Sequence, residues 1–164
     1  MPSTRLINLG LFLGSAGLLW FGYYLEWVRG LEPCPLCLIQ RLFFALIGIT
    51  ALIAVLHHPG RLGTIIYASL NELFALGGGL TAGRQVWLQQ LPKDQVPECG
   101  PGLEYMLEAY PLGDVLAKVF HGSGECAEIG WSLFGLSIAG WALLCFVLIA
   151  VVSAAVAVRH ATSR

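Results

Sequence analysis

Apolar residues run almost unbroken along four stretches of the chain, at about 6–28, 38–56, 62–88 and 131–158, and polar residues gather between them. Each stretch is long enough to cross a bilayer, because about twenty mostly apolar residues, each rising about 1.5 Å along a helix, span the hydrocarbon layer. The pattern therefore predicts four membrane helices with external loops at about 29–37 and 89–130 and a tight turn at His57-His58-Pro59-Gly60-Arg61. The first stretch ends in Trp20, Tyr23, Tyr24 and Trp27, aromatic residues that favour the water–lipid boundary, so the 29–37 loop is expected at that interface. Gly10, Gly14 and Gly17 lie along one side of it, where small residues admit a neighbouring helix or are simply ordinary membrane-helix glycines.

The second stretch is entered through Pro35, which suits the first turn of a helix and not its interior, so a helix is expected to begin near Cys34 or Leu36. The third carries Asn71 and Glu72 near its middle. An unpaired ionisable group at that depth costs a few kcal/mol, so Glu72 is protonated and hydrogen-bonded by Asn71 or Thr50, paired inside the bundle, or near water. In the long polar loop Leu112, Val115, Leu116 and Val119 recur at i, i+3, i+4 and i+7. That spacing marks a short amphipathic helix, lying flat on the membrane or folded against the loop's own residues.

Composition makes the class firm. Of 164 residues, 57% are hydrophobic and only 12% charged, and the mean hydropathy is +0.74, which puts the chain among membrane proteins. The expected fold is an all-α, four-transmembrane-helix bundle forming a single integral membrane domain over residues 1–164 in the lipid bilayer. A net charge of −1 without a basic cluster excludes a nucleic-acid partner. The first apolar stretch is too long for a signal-peptide core and no small-residue cleavage site follows it, so it should remain as an anchor. Four spans place both termini on one side. There Arg5, Arg61, Arg159 and Arg164 sit in very short polar segments, which the positive-inside rule makes cytoplasmic. Cys34, Cys37, Cys99 and Cys126 then face the compartment in which disulfides persist.

The candidate chemistry centres on Cys34-Pro35-Leu36-Cys37 and Arg41. Two thiols separated by two residues can close a small disulfide and reopen it by thiolate attack, passing two electrons without rearranging the chain. Cys37 falls in the expected first helical turn, where unpaired backbone N–H groups favour a thiolate. Arg41 follows at i+4 on the same face, a fixed cation for a thiolate or a reduced, anionic cofactor oxygen. Half of a zinc site is the first competing reading, but the remaining Cys and His residues lack metal-site spacing, so no metal is expected. A purely structural disulfide is the second, and so short a loop adds little stability. The adjacent His57 and His58 read as solvated, and Cys145, deep in the last stretch, as an apolar filler.

Cys34-Pro35-Leu36-Cys37 followed by Gln40-Arg41, together with Ser123-Gly124-Glu125-Cys126-Ala127-Glu128 leading through Trp131 and Leu133-Phe134-Gly135-Leu136 into the last stretch, resembles the DsbB family of bacterial inner-membrane disulfide-forming oxidoreductases. The resemblance covers essentially the whole chain. It implies an enzyme that reoxidises a periplasmic DsbA-like thioredoxin-fold dithiol oxidase and hands the electrons to the membrane quinone pool, ubiquinone or menaquinone. Carried onto this chain, Cys99 and Cys126 form the disulfide that the partner attacks, with Cys99 entering the mixed disulfide. Released Cys126 then exchanges with the Cys34–Cys37 disulfide, and Cys37 donates to a quinone beside Arg41. Some members carry a histidine near the outer end of the third span, where this chain has Arg84-Gln85; Gln85 is accordingly the candidate quinone contact there. Two other readings share some of these features. A vitamin K epoxide reductase-like protein has a CxxC nearer the end of its chain, and a disulfide-stapled membrane scaffold has no turnover.

Overall fold

The computed structural model describes residues 3–92, 94–97, 105, 108–122 and 124–162. In chain order these form α1 (Thr4–Arg29), α2 (Pro35–His57), α3 (Arg61–Gln89), the short α4 (Leu112–His121) and α5 (Gly124–Ala127), an antiparallel hairpin of β1 (Ser132–Leu133) and β2 (Leu136–Ser137), and α6 (Ile138–Thr162). The protein is an all-α membrane protein. Helices α1, α2 and α6 are long and apolar enough to cross a bilayer, whereas α3, though 29 residues long, is diluted by Glu72, Thr81, Arg84 and Gln85.

Each boundary has a local cause. Ser3 caps α1 by accepting from the Leu6 N–H at 3.4 Å, and Gly30 ends it in the left-handed region at φ 64°. Cys34 is the N-cap of α2 and Pro35 its first residue. The apolar run beginning at about 131 yields no helix until Ile138, because Phe134 and Gly135 both take positive φ and turn the chain back as a two-residue hairpin loop.

Packing follows chain order, with α2 between α1 and α3, and α3 lying along α6. Gly78 allows the closest approach of the last pair, since a Cβ there would overlap the Phe146 ring. Phe146 in turn stacks on Phe44 with ring centroids 4.0 Å apart. The outer surface is the reverse of a soluble domain's, for Leu13, Leu56, Leu62, Leu73, Leu80 and Val151 are all exposed. Lipid is the solvent for such a surface, so these helices associate through close packing and polar contacts more than through the hydrophobic effect. At the end of the bundle where the chain starts and finishes, Arg61 donates to the carbonyl oxygens of His160 and Ala161 at 2.7 Å each, and Thr4 Oγ1 lies 3.0 Å from His160 Nε2. A guanidinium on the last carbonyls of α6 satisfies orphan acceptors and complements the helix dipole.

Among the described residues neither expected partner bonds Glu72: Thr50 donates to Leu46 O within its own helix, and the fully buried Asn71 amide has no hydrogen-bond partner.

Candidate active site

Five residues, Gly30 to Cys34, join α1 to α2 and hold the first cysteine pair at the mouth of the bundle. Because Pro35 opens the helix, Cys37 lies in its first turn. The two sulfurs are 3.2 Å apart. A single amide meets both: Gln85 Nε2 lies 3.4 Å from Cys34 Sγ and 3.2 Å from Cys37 Sγ, while its Oε1 accepts from Gln40 Nε2 at 2.8 Å and from the Cys37 thiol at 3.5 Å.

Cys126, on α5, is completely buried in the same cluster as Cys34, with Leu36, Leu88, Val115 and Val119 around them. Three of the four predicted redox cysteines thus share one pocket of side chains, and Cys99 lies outside the described residues. Hydrogen bonding with Cys126 and then with Cys37, reinforced by burial, pushes the Cys34 thiol well above the ordinary thiol range. Cys34 is therefore held as a neutral sulfur between two others.

The amphipathic helix expected in the long loop is α4, and its apolar face covers this cluster. Val115 and Val119 are each 3% exposed, in contact with Cys34, Leu36, Leu88 and Cys126 rather than with the loop's own residues alone. The Leu116 side chain lies outside the described ones. Arg84 fastens the far end of the helix, donating to Phe120 O at 3.2 Å and His121 O at 3.0 Å, while its guanidinium sits 4.2 Å from the Trp87 ring centre.

On the opposite flank of α2 opens a cavity of ≈310 Å3 between α1, the hairpin and α6. Leu25, Cys37, Arg41, Phe44, Trp131 and Trp141 are among its walls. Trp131 is steadied edge-on by Phe21 at 5.6 Å, and Trp141 donates to Leu133 O at 3.1 Å, so the hairpin is fixed as one side of the chamber. Arg41 is the cation of this wall. It pairs with Glu26 at 2.5 Å, donates to Gly22 O at 3.0 Å and lies 4.8 Å from the Tyr23 ring centre. Glu26 escaped the sequence reading; its only signal was an acid among the boundary aromatics of the first stretch.

Cys37 belongs to both flanks. It lines the cavity with Arg41, and it lines a narrower polar cleft with Cys34, Gln85, Glu125 and Glu128. Gln85, singled out as a candidate quinone contact, is therefore placed by the structure against the sulfurs, in that cleft. Cys145 lies on the cavity wall in α6 and apart from the sulfur cluster. Among the described residues no group of three or more His, Cys, Asp or Glu is placed to hold a metal ion; His57 instead meets the Tyr67 hydroxyl at 3.0 Å.

A family profile described as disulfide bond formation protein DsbB matches residues 4–156. Among curated proteins, disulfide bond formation protein B of Hahella chejuensis is 53% identical over 145 residues, covering 88% of each chain. The protein of the same name from Aromatoleum aromaticum is 52% identical over 149 residues, 91% of this chain and 89% of that one. Disulfide bond formation protein B 1 of Pseudomonas aeruginosa is 50% identical over 147 residues, 90% of each.

Proposed function

The chain belongs to the DsbB family of oxidoreductases, and on that premise we propose that it reoxidises a DsbA-like thioredoxin-fold dithiol oxidase outside the bacterial inner membrane and passes the electron pair to a membrane quinone. The observation that carries this reading is the placement of Cys34 between Cys37, 3.2 Å away, and the buried Cys126.

The partner's thiolate attacks Cys99 in the Cys99–Cys126 disulfide and releases Cys126 as a thiolate. The partner's second thiol then closes on the first, so the partner leaves oxidised and Cys99 and Cys126 are left reduced. Cys126 attacks Cys34 in the Cys34–Cys37 disulfide; the new bond joins Cys34 to Cys126, and Cys37 leaves with the electron pair. Cys37 departs into the first turn of α2, beside the Gln85 N–H groups, one helical turn before Arg41 and on the cavity wall. Attack by Cys99 on Cys126 then restores the outer disulfide, freeing Cys34 to close on Cys37 as the pair of electrons is surrendered.

The cavity suits a quinone ring by its chemistry. Its lining is largely aliphatic and aromatic, with the Arg41 guanidinium, the Cys37 sulfur, Glu32 and Gln40 among its polar groups and Cys145 on the α6 wall. Leu25, Phe44, Trp131 and Trp141 would hold the ring, and Arg41 would face an oxygen that gains negative charge. When bound, a quinone supplies acceptance of two electrons and two protons. The residues exclude water around the sulfur and set a cation where charge develops. Ubiquinone and menaquinone both meet these demands. By the positive-inside rule, the short basic polar segments support cytoplasmic termini and periplasmic cysteine loops.

Anaerobic mixing of the purified protein with a reduced thioredoxin-fold dithiol and either quinone, followed by quinone absorbance, tests the proposal. One quinone reduced per dithiol oxidised is expected, and Cys37→Ser should abolish the reaction while the fold survives. A stapled scaffold would reduce none.

A further inference from the structure

The proposed relay gives Gln40 no task and names Gln85 only as a neighbour of the departing sulfur, yet both are 4% exposed in a part of the bundle where most side chains are apolar. Buried amides are kept where their hydrogen bonds matter. Gln85 Nε2 is within reach of both sulfurs of the first pair, and Gln40 Nε2 donates to Gln85 Oε1 at 2.8 Å. Gln40 follows Cys37 by three residues, so α2 presents the sulfur and the second amide on one face toward α3.

An amide can turn end for end in the same space, and its two ends treat a sulfur oppositely. The N–H end donates to a thiolate; the oxygen end repels it. With Gln85 Oε1 on the Gln40 donor, Nε2 is the end nearer Cys37 Sγ, at 3.2 Å against 3.5 Å for Oε1, which accepts from the neutral thiol; once that thiol has lost its proton, only the N–H end can stabilise it. We propose that Gln85 is a catalytic residue that holds negative charge on Cys37 through its amide N–H, and that Gln40 is the positioning residue that keeps that end of Gln85 on the sulfur pair. The inference rests on the relay reading, in which Cys37 is the sulfur released as a thiolate. Unlike a histidine or lysine at the same place, the amide pair carries no proton of its own to lose, so its help to the sulfur does not fade as pH changes.

The test reads Cys37 directly. Fully reduced, full-length protein in detergent is alkylated with iodoacetamide across a range of pH, and modification at Cys37 is followed by peptide mass. Other groups near Cys37 are Cys34, Cys126, Arg41, Glu32, Glu125 and Glu128; all are common to the variants, so differences between profiles isolate the amides. Gln85→Met, similar in shape but without a donor, should slow Cys37 alkylation at neutral pH about tenfold, with recovery in alkali, as expected for loss of a hydrogen bond to a charged group. Gln40→Met should slow it about threefold, because its effect passes through an amide that is no longer oriented. The double variant should match Gln85→Met alone. Thermal unfolding checks that each variant is folded, and if Gln85→Met is not, the Gln40→Met profile carries the test. A Gln40→Met profile that overlays the parent's, or a double variant in which the two effects multiply, overturns the proposal. Alkylation needs neither quinone nor partner dithiol. A protein that reduces no quinone but shows these shifts would defeat the relay and keep the amide pair, and the converse result would do the opposite.

Discussion

The two flanks of α2 at the mouth of the bundle are built on opposite plans, although Cys37 takes part in both. Toward α3 the side chains are closed over. Cys34 and Cys126 are packed beneath Val115 and Val119, and the polar groups that reach the sulfurs are neutral amides. Toward α1 and the hairpin the wall stands open as a chamber, and beside Glu32 and Gln40 it carries a full cation, Arg41, matched by Glu26. The difference follows from what each flank would handle in the proposed relay. Disulfide exchange keeps charge on sulfur and needs sulfurs held in line, whereas reduction of a small molecule needs space and a fixed charge opposite the one that forms.

Changes confined to one flank should separate the two tasks. Arg41→Ala removes the cation from the chamber, so kcat/KM for quinone should fall about ten- to hundredfold, while exchange between the partner dithiol and Cys99–Cys126, measured by trapping mixed disulfides, should keep its rate. An equal fall in both would collapse the distinction. On the other flank, Val119→Asp sets an unpaired carboxylate against the sulfur cluster, which should lift α4 and raise alkylation of Cys126 about tenfold; unchanged protection would mean that α4 is not the cover.

Within the covered flank the sulfurs should also differ from one another. The Cys34 thiol is pushed upward by Cys126, Cys37 and burial. A raised thiol pKa leaves the thiolate scarce at neutral pH and abundant only in alkali, so in reduced protein Cys34 should be alkylated more slowly than Cys37 at pH 7 and catch up as pH rises. The smallest effect is expected from Glu26→Gln. Arg41 then loses its counter-charge but keeps the Gly22 carbonyl, and KM for quinone should fall about twofold to threefold; a rise would mean that Glu26 serves to aim the guanidinium.

These flanks were unequally legible in the sequence. Pro35 fixes where α2 begins, and that alone places Cys37 in the first turn and Arg41 one turn later, so the sulfur and cation of the chamber could be read from local spacing. The ion pair with Glu26 and the amide contact between Gln40 and Gln85 join residues far apart in the chain. Nothing in local periodicity encodes which helix faces which. The repeat through Leu112, Val115 and Val119 announced a helix with an apolar face, yet the surface that face meets depends on how the long loop folds back. The start of α6 was read too early because Trp131 to Ser137 is as apolar as a membrane span, and the turn at Phe134-Gly135 is marked by a single glycine.

The brevity of the link between α1 and α2 has a mechanical consequence. Gly30 closes the first helix, Pro35 opens the second, and only five residues lie from one cap to the other. Cys34 has no slack with which to travel, and Cys37 rides on a helix rooted in lipid. In the proposed relay, making or breaking a bond between them asks only for a rotation of two side chains on a stationary anvil.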